Sequence, residues 1–174
     1  FTSSVMDAAL PLVHSLCRRL AFAGVRYQPP VPGQSEPIVD LTGGGSTVAI
    51  LAVHVYGHPC EVERLREIAG RHGLPVIYDA AHAFGVRYKG RALATYGDVS
   101  TLSFHATKLF HTVEGGALIT YDDEVANRIT YLRNFGHKAP EEFWGLGING
   151  KNSEFHAAMG LSILPRISEL INKR

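Results

Sequence analysis

Cysteine is the scarcest chemistry in this chain: of 174 residues only Cys17 and Cys60 carry a thiol. Their separation matches neither a disulfide framework nor a metal-ligand spacing, so a reducing cytosol is the expected compartment. Net charge is nearly absent. Seventeen Lys and Arg stand against 16 Asp and Glu, a formal charge of +1. That leaves no basic field for nucleic acid or an anionic membrane surface, and neither is expected as a partner. Long apolar runs are missing too, since stretches such as Val48 to Val53 are far too short to cross a bilayer. There is no initiator methionine, which points to a start inside a longer gene product or behind a removed tag. Phe1-Thr2-Ser3-Ser4 is not a basic n-region, so no signal peptide is read there. Repeats and low-complexity tracts are lacking as well. What remains is ordinary globular composition, 45% apolar and 19% charged, in a length that suits one domain with a buried core.

Val5, Ala8, Ala9, Leu12, Val13, Leu16 and Leu20 recur at helical spacing, with Gly24 as a stop and Pro11 as a start or kink. Gln28 to Glu36 is a proline-rich connector. Gly43-Gly44-Gly45 reads as a flexible break, because it lacks a phosphate-loop pattern and a strand rather than a helix follows it. Thr47 to Tyr56 is a near-continuous apolar run, as in a strand covered on both faces. Cys60 to His72 is an amphipathic helix with Val62, Leu65, Ile68 and Ala69 on one side and Gly73 as its stop, and Leu74 to Asp79 is the next strand. Strand, helix and strand of these lengths make a βαβ unit with parallel strands. Val99 to Phe104 and Gly116 to Thr120 add two strands, and Asp122-Asp123-Glu124 opens a helix running to about Phe135. Ser153 to Asn172 reads as a last helix, kinked or broken at Pro165. The expected class is α/β with a mostly parallel sheet.

Open α/β sheets bind ligands outside the carboxyl ends of their strands. Asp79 ends one strand, and the run SFHATK, Ser103 to Lys108, follows the end of another. A carboxylate and a lysine so placed make either a simple ion pair or a catalytic couple. The small residues in Asp79-Ala80-Ala81-His82-Ala83 allow a flat ring to approach the backbone. An amine nucleophile must lose its charge, and pyridoxal phosphate (PLP) meets that need: a lysine holds it as an imine while an acid pairs with its pyridinium nitrogen. Ser103 and nearby backbone N–H groups suit its phosphate. A metal site at His54, His58 and Cys60 is the rival reading. HVYGHPC lacks HExxH or paired CxxC spacing, and three ligands in seven residues are hard to arrange around zinc, so His54 reads instead as a hydrogen-bonding group at a strand end.

VIYDAAHAFG (76–85), GDVSTLSFHATKLFHTVEGGAL (97–118), HVYGHPC (54–60) and GINGKNSEFHAAMGL (147–161) together resemble the DegT/DnrJ/StrS family of PLP-dependent sugar aminotransferases, over residues 46–172 in the right order. The resemblance implies a three-layer αβα, mostly parallel fold of the aspartate aminotransferase-like (fold type I) large domain. It implies transfer of an amino group from glutamate or glutamine to a keto group of a nucleotide-linked deoxy-sugar, with dTDP as the nucleotide. Carried over by position, Lys108 matches the Schiff-base lysine, Asp79 the partner of the pyridinium nitrogen, His82 the residue against the cofactor ring and Ser103 a phosphate ligand. Asn149 falls in the segment that reaches the phosphate of the neighbouring subunit, which implies a cytoplasmic homodimer with shared active sites. His105 and Glu114 flank the lysine, either as substrate-binding residues or as structural support. The same resemblance implies a chain truncated at both ends: residues 1–45 form a divergent N-terminal helix and linker, 46–174 the core of a partial large domain, and the small C-terminal domain is absent. The alternative is a catalytically inactive PLP-fold module that assembles with a full-length subunit through the 153–172 helix and Phe143-Trp144, although Trp144 reads more simply as core packing.

Overall fold

The structure is a computed structural model that describes residues 38–39, of which only the backbone, and 47–173. The expected N-terminal helix, the proline-rich connector, the triple glycine and Cys17 lie outside the described residues. The described chain divides into two compact units. One takes in residues 38–39, 47–102 and 118–121; the other takes in 103–117 and 122–173.

The first unit carries most of a five-stranded sheet. Its strands are β1 (Ile38–Val39), β2 (Ile50–Val53), β3 (Val76–Asp79), β6 (Val99–Ser103) and β7 (Gly116–Ile119), in the order β1-β2-β3-β6-β7. β2, β3 and β6 are mutually parallel, and β1 runs antiparallel to β2. The registers set Val53 level with Asp79 and Asp79 level with Thr101, so β2 and β3 end together while β6 runs on to Ser103. Val76, Ile77 and Tyr78 are all buried in succession, as a strand covered on both faces requires. Between β2 and β3 runs helix α1 (Val62–His72), which buries Val62, Leu65 and Ala69. Gly73 ends it in the left-handed conformation and donates its N–H to the Ala69 carbonyl. A short hairpin of β4 (Arg87–Tyr88) and β5 (Arg91–Ala92) turns through Lys89 and Gly90, both at positive φ. It is tied to α1 because Tyr88 Oη and Lys89 Nζ both donate to the Glu63 carboxylate, at 2.8 and 2.5 Å.

In the second unit, helix α2 (Asp123–Leu132) starts at Asp122, whose carboxylate accepts from the N–H groups of Glu124 and Val125 at 2.8 and 3.0 Å. A hairpin of β8 (His137–Ala139) and β9 (Glu142–Phe143) follows. The last helical stretch is broken where Pro165 stands: α3 (Glu154–Ile163), a 3₁₀ turn (Leu164–Arg166) and α4 (Ile167–Asn172). Ser153 caps α3, and His156 takes the return bond usually made by Glu or Gln. Trp144 is half-buried and packs tilted against Tyr131 at 6.1 Å, whereas Phe143 is exposed.

The expected elements exist, with shorter ends. The strand expected over 47–56 pairs only at Ile50–Val53, since Tyr56 turns the backbone left-handed within a 3₁₀ turn (Val55–Gly57). The helix expected to reach Phe135 stops at Leu132, just ahead of Phe135 and Gly136, both at positive φ. Among the described residues no helix is long and apolar enough to cross a membrane.

Candidate active site

The first unit places Asp79 and His82 at the carboxyl ends of its parallel strands. Asp79 is the last residue of β3, and its Oδ1 accepts the Ala81 N–H at 2.9 Å. The turn after it is anchored by buried Ala80 and Ala83: Ala80 N–H donates to the Thr101 carbonyl and Ala83 N–H to the Ala80 carbonyl, at 2.9 and 2.8 Å. Between those two anchors His82 is exposed. Its Nδ1 accepts the backbone N–H of Tyr56 at 3.2 Å, and the two rings lie nearly parallel, 5.8 Å apart at 10°.

His54 sits just past β2, donating its N–H to the Asp79 carbonyl at 2.9 Å. Its side chain is fully buried and stacks on Tyr78 at 4.5 Å. Nδ1 accepts the Cys60 N–H at 3.2 Å, so the neutral ring carries its proton on Nε2, which has no hydrogen-bond partner among the described residues. Burial lowers the imidazole from its usual 6.5 to about 4. The Cys60 thiol donates to the Val53 carbonyl at 3.0 Å and His58 is exposed. Among the described residues no group of three or more His, Cys, Asp or Glu is placed to hold a metal ion.

The second unit holds Ser103, His105, Lys108, Glu114 and Asn149. Phe104 closes the lysine-bearing loop on itself: its N–H donates to the Gly115 carbonyl and its carbonyl accepts the Thr112 N–H, at 2.8 and 2.9 Å. The Phe104 ring meets the buried Phe110 edge-on at 4.9 Å, which anchors the loop from inside. Lys108 is half-buried, and its N–H donates to the His105 carbonyl at 2.9 Å. Ser103 is buried, its hydroxyl oxygen accepting the His105 N–H at 3.4 Å. His105 Nδ1 meets Thr107 Oγ1 at 2.9 Å, while Nε2 faces Glu114 Oε1 at 3.7 Å. Those two expected residues are therefore brought together beside the lysine. Asn149 is exposed and pairs with Asn134 through an isolated bridge, and its side-chain oxygen accepts from Lys151 Nζ at 3.2 Å. With that oxygen engaged, the amide NH2 is the group left to donate to an anion.

Two features escaped the sequence reading. Tyr56 is the backbone donor that orients His82, and Lys151 orients Asn149; neither role has a signal in residue type alone. Val113, in the loop after the lysine, is a β-branched residue at φ 69° that leaves nearly half of its side chain in water. Left-handed backbone costs a residue with a Cβ about 1–2 kcal/mol, and glycine avoids that at an entropic cost of about 0.5–1 kcal/mol. Val113→Gly is therefore expected to stabilise the protein by about 0.5–1 kcal/mol, read as a higher urea midpoint at unchanged slope. A lower midpoint would mean that the loop gains more from the isopropyl group than its backbone loses.

In kind, these groups suit pyridoxal phosphate: an amine for the aldehyde, a carboxylate for the ring nitrogen, a buried hydroxyl for the phosphate, and an imidazole held at Nδ1 by a backbone N–H. The DegT/DnrJ/EryC1/StrS aminotransferase family matches residues 44–174. The chain is 44% identical over 128 residues to the dTDP-4-amino-4,6-dideoxy-D-glucose transaminase of Shigella dysenteriae, covering 74% of this chain and 35% of that protein. It is 38% identical over 130 residues to the GDP-perosamine synthase of Escherichia coli O157:H7, covering 74% of this chain and 36% of that protein. Among solved structures, DesI in the presence of its TDP-sugar product superposes with a TM-score of 0.71 at 39% identity, over 93% of this chain and 41% of that one. The chain thus spans about a third of the length of the curated relatives it matches.

Proposed function

This chain belongs to the DegT/DnrJ/EryC1/StrS aminotransferase family, and from that premise we propose that it is part of a PLP-dependent aminotransferase that moves an amino group from glutamate or glutamine onto a keto group of a nucleotide-linked deoxy-sugar. Two observations carry the reading, each within its own unit: Asp79 at the carboxyl end of β3, and a closed loop that presents Lys108. dTDP is the nucleotide we propose. Relatives named for dTDP-sugars reach 44% and 46% identity, against 38% or less for the GDP-perosamine synthases.

When bound, PLP supplies an electron sink that makes the carbon–hydrogen bond beside the reacting nitrogen acidic. Lys108 Nζ would hold it through its aldehyde and, as a free amine, would serve as the base and acid that moves a proton. Asp79 keeps one oxygen on Ala81 N–H, which steadies the carboxylate, and uses its negative charge to hold a proton on the ring nitrogen. His82 would lie against the ring, and the Ser103 hydroxyl would hold the phosphate. His105 and Glu114 shape the substrate side of the lysine loop. Asn149, its side-chain oxygen held by Lys151, completes the phosphate site of a second subunit in a homodimer. Exposed Phe155 and Leu161 on the helix just after it support a subunit contact there. Residues 1–45 as a divergent lead and 46–174 as the core of a large domain are part of the same proposal.

Borohydride reduction of the chain mixed with PLP, followed by peptide mass mapping, tests this directly. The expected result is one phosphopyridoxyl group, on Lys108, and none in Lys108→Ala. A folded chain that takes no label, or takes it on several surface lysines alike, rules the reading out.

A further inference from the structure

Tyr56 combines three features that ordinary packing does not explain. It is 90% exposed, so its ring contributes little to the core. Its φ is 53°, a left-handed conformation that costs a residue with a side chain about 1–2 kcal/mol. It also makes two contacts with one partner, a backbone N–H to His82 Nδ1 and a parallel ring stack. The neighbouring Gly57 adds a third point of approach: at φ 79°, a Cβ built there would stand 2.8 Å from the His82 carbonyl oxygen and 3.2 Å from Val86 Cγ2. The corner itself is held by Gly57 N–H on the His54 carbonyl and His58 N–H on the Val55 carbonyl, both at 2.9 Å. Strained backbone persists where surrounding structure imposes it, and it gathers at functional sites.

We infer that the Tyr56–Gly57 corner is a positioning device for His82, fixing both the plane of its imidazole and the nitrogen that carries the proton. The inference rests on the reading above in one respect, that His82 faces the pyridine ring of PLP. A donor aimed at Nδ1 keeps that nitrogen unprotonated, so a neutral ring carries its proton on Nε2. This is the ring form that suits a cationic pyridinium, since an imidazolium stacked on it would bring two like charges together. The Tyr56 ring, parallel to the imidazole at 5.8 Å, helps to fix the plane in which His82 lies. Tyr56 is a positioning residue: it acts through His82.

Long-range ¹H–¹⁵N NMR of the cofactor-free chain reads the tautomer, and the induced circular dichroism of added PLP reads the orientation of the bound ring. The expected result is an unprotonated Nδ1 for His82 in the wild type. Gly57→Ala, whose Cβ pushes the corner off the His82 carbonyl, is expected to move the Nδ1 resonance toward a tautomer average and to lose most of the induced signal. Tyr56→Ala fills no space and so keeps the test open if Gly57→Ala fails to fold. It is expected to weaken the induced signal, and Tyr56→Phe, which keeps the ring, to restore it. A protonated Nδ1 in the wild type overturns the inference, as do unchanged spectra in both Gly57→Ala and Tyr56→Ala. Should the wild type bind no PLP, the reading of the site fails while the tautomer measurement still decides the role of the corner.

Discussion

On the proposed function, Asp79→Asn is expected to lower the amination rate by about 100- to 1,000-fold, the scale on which a preorganised electrostatic contact acts, while the urea midpoint moves little. The reason lies in what asparagine retains. Asp79 Oδ1 accepts the Ala81 N–H at 2.9 Å, and the backbone carbonyl accepts from His54. An amide oxygen fills the first role and the backbone is untouched, so the turn that carries His82 stays closed. What disappears is the negative charge, and without it nothing at the end of β3 holds a proton on the ring nitrogen. Asp79→Ala is the contrast. It loses the charge and also leaves the Ala81 N–H without its acceptor, an additional stability cost of about 1–3 kcal/mol. Rate and stability therefore separate in the first variant and fall together in the second. An asparagine variant that keeps its rate within a few-fold would remove Asp79 from the role of ring partner, whatever happens to labelling at Lys108.

The placement of Asp79 and of the lysine loop after strand ends was legible because strand ends are legible. The apolar run Val76 to Tyr78 stops at Asp79, where β3 ends, and the β-branched stretch from Val99 runs into Ser103, where β6 ends ahead of the lysine loop. The helix break at Pro165 was legible for an equally local reason, the missing N–H of proline. Two hairpins were not. Arg87–Tyr88 and Arg91–Ala92 are two-residue strands around a Lys-Gly turn, and His137–Ala139 with Glu142–Phe143 is polar and exposed. Such pieces have too few side chains to show a period, and Lys89 takes the positive φ usually given to Asn or Asp. The Tyr56 corner was hidden for a different reason. A tyrosine after Val55 continues a strand pattern, and its left-handed turn goes with a tertiary bond to His82 that the local sequence does not show. The pairing of His105 with Glu114 is of the same kind: nine residues apart in sequence, they meet because Phe104 closes the loop between them.

Below neutral pH the protein is expected to lose about 3 kcal/mol of stability to one buried imidazole. His54 is fully buried, and burial holds it down at about 4, against the usual 6.5 that it regains on unfolding. The folded value is the lower one, so between pH 6.5 and about 4 the unfolded chain binds a proton that the folded chain does not. Stability therefore rises with pH across that window, by about 1.4 kcal/mol per unit at most, and the contribution of His54 is level above it. Urea unfolding of the wild type and of His54→Phe from pH 7.5 to 4.5 isolates the effect, because the other titrating groups are shared. Phenylalanine keeps the stack on Tyr78 but leaves the Cys60 N–H without an acceptor, so the variant starts less stable, by about 1–3 kcal/mol. The gap should close, and can reverse, as the pH falls; a gap independent of pH would mean that His54 is not held neutral by burial. The same residue links stability to the site. His54 donates its N–H to the Asp79 carbonyl, and its own carbonyl receives the Gly57 N–H that closes the Tyr56 corner. A proton forced onto His54 enters at Nδ1 and breaks the bond from Cys60 N–H, so acid should disturb the segment from His54 to Cys60, and with it the orientation of His82, before it unfolds the sheet.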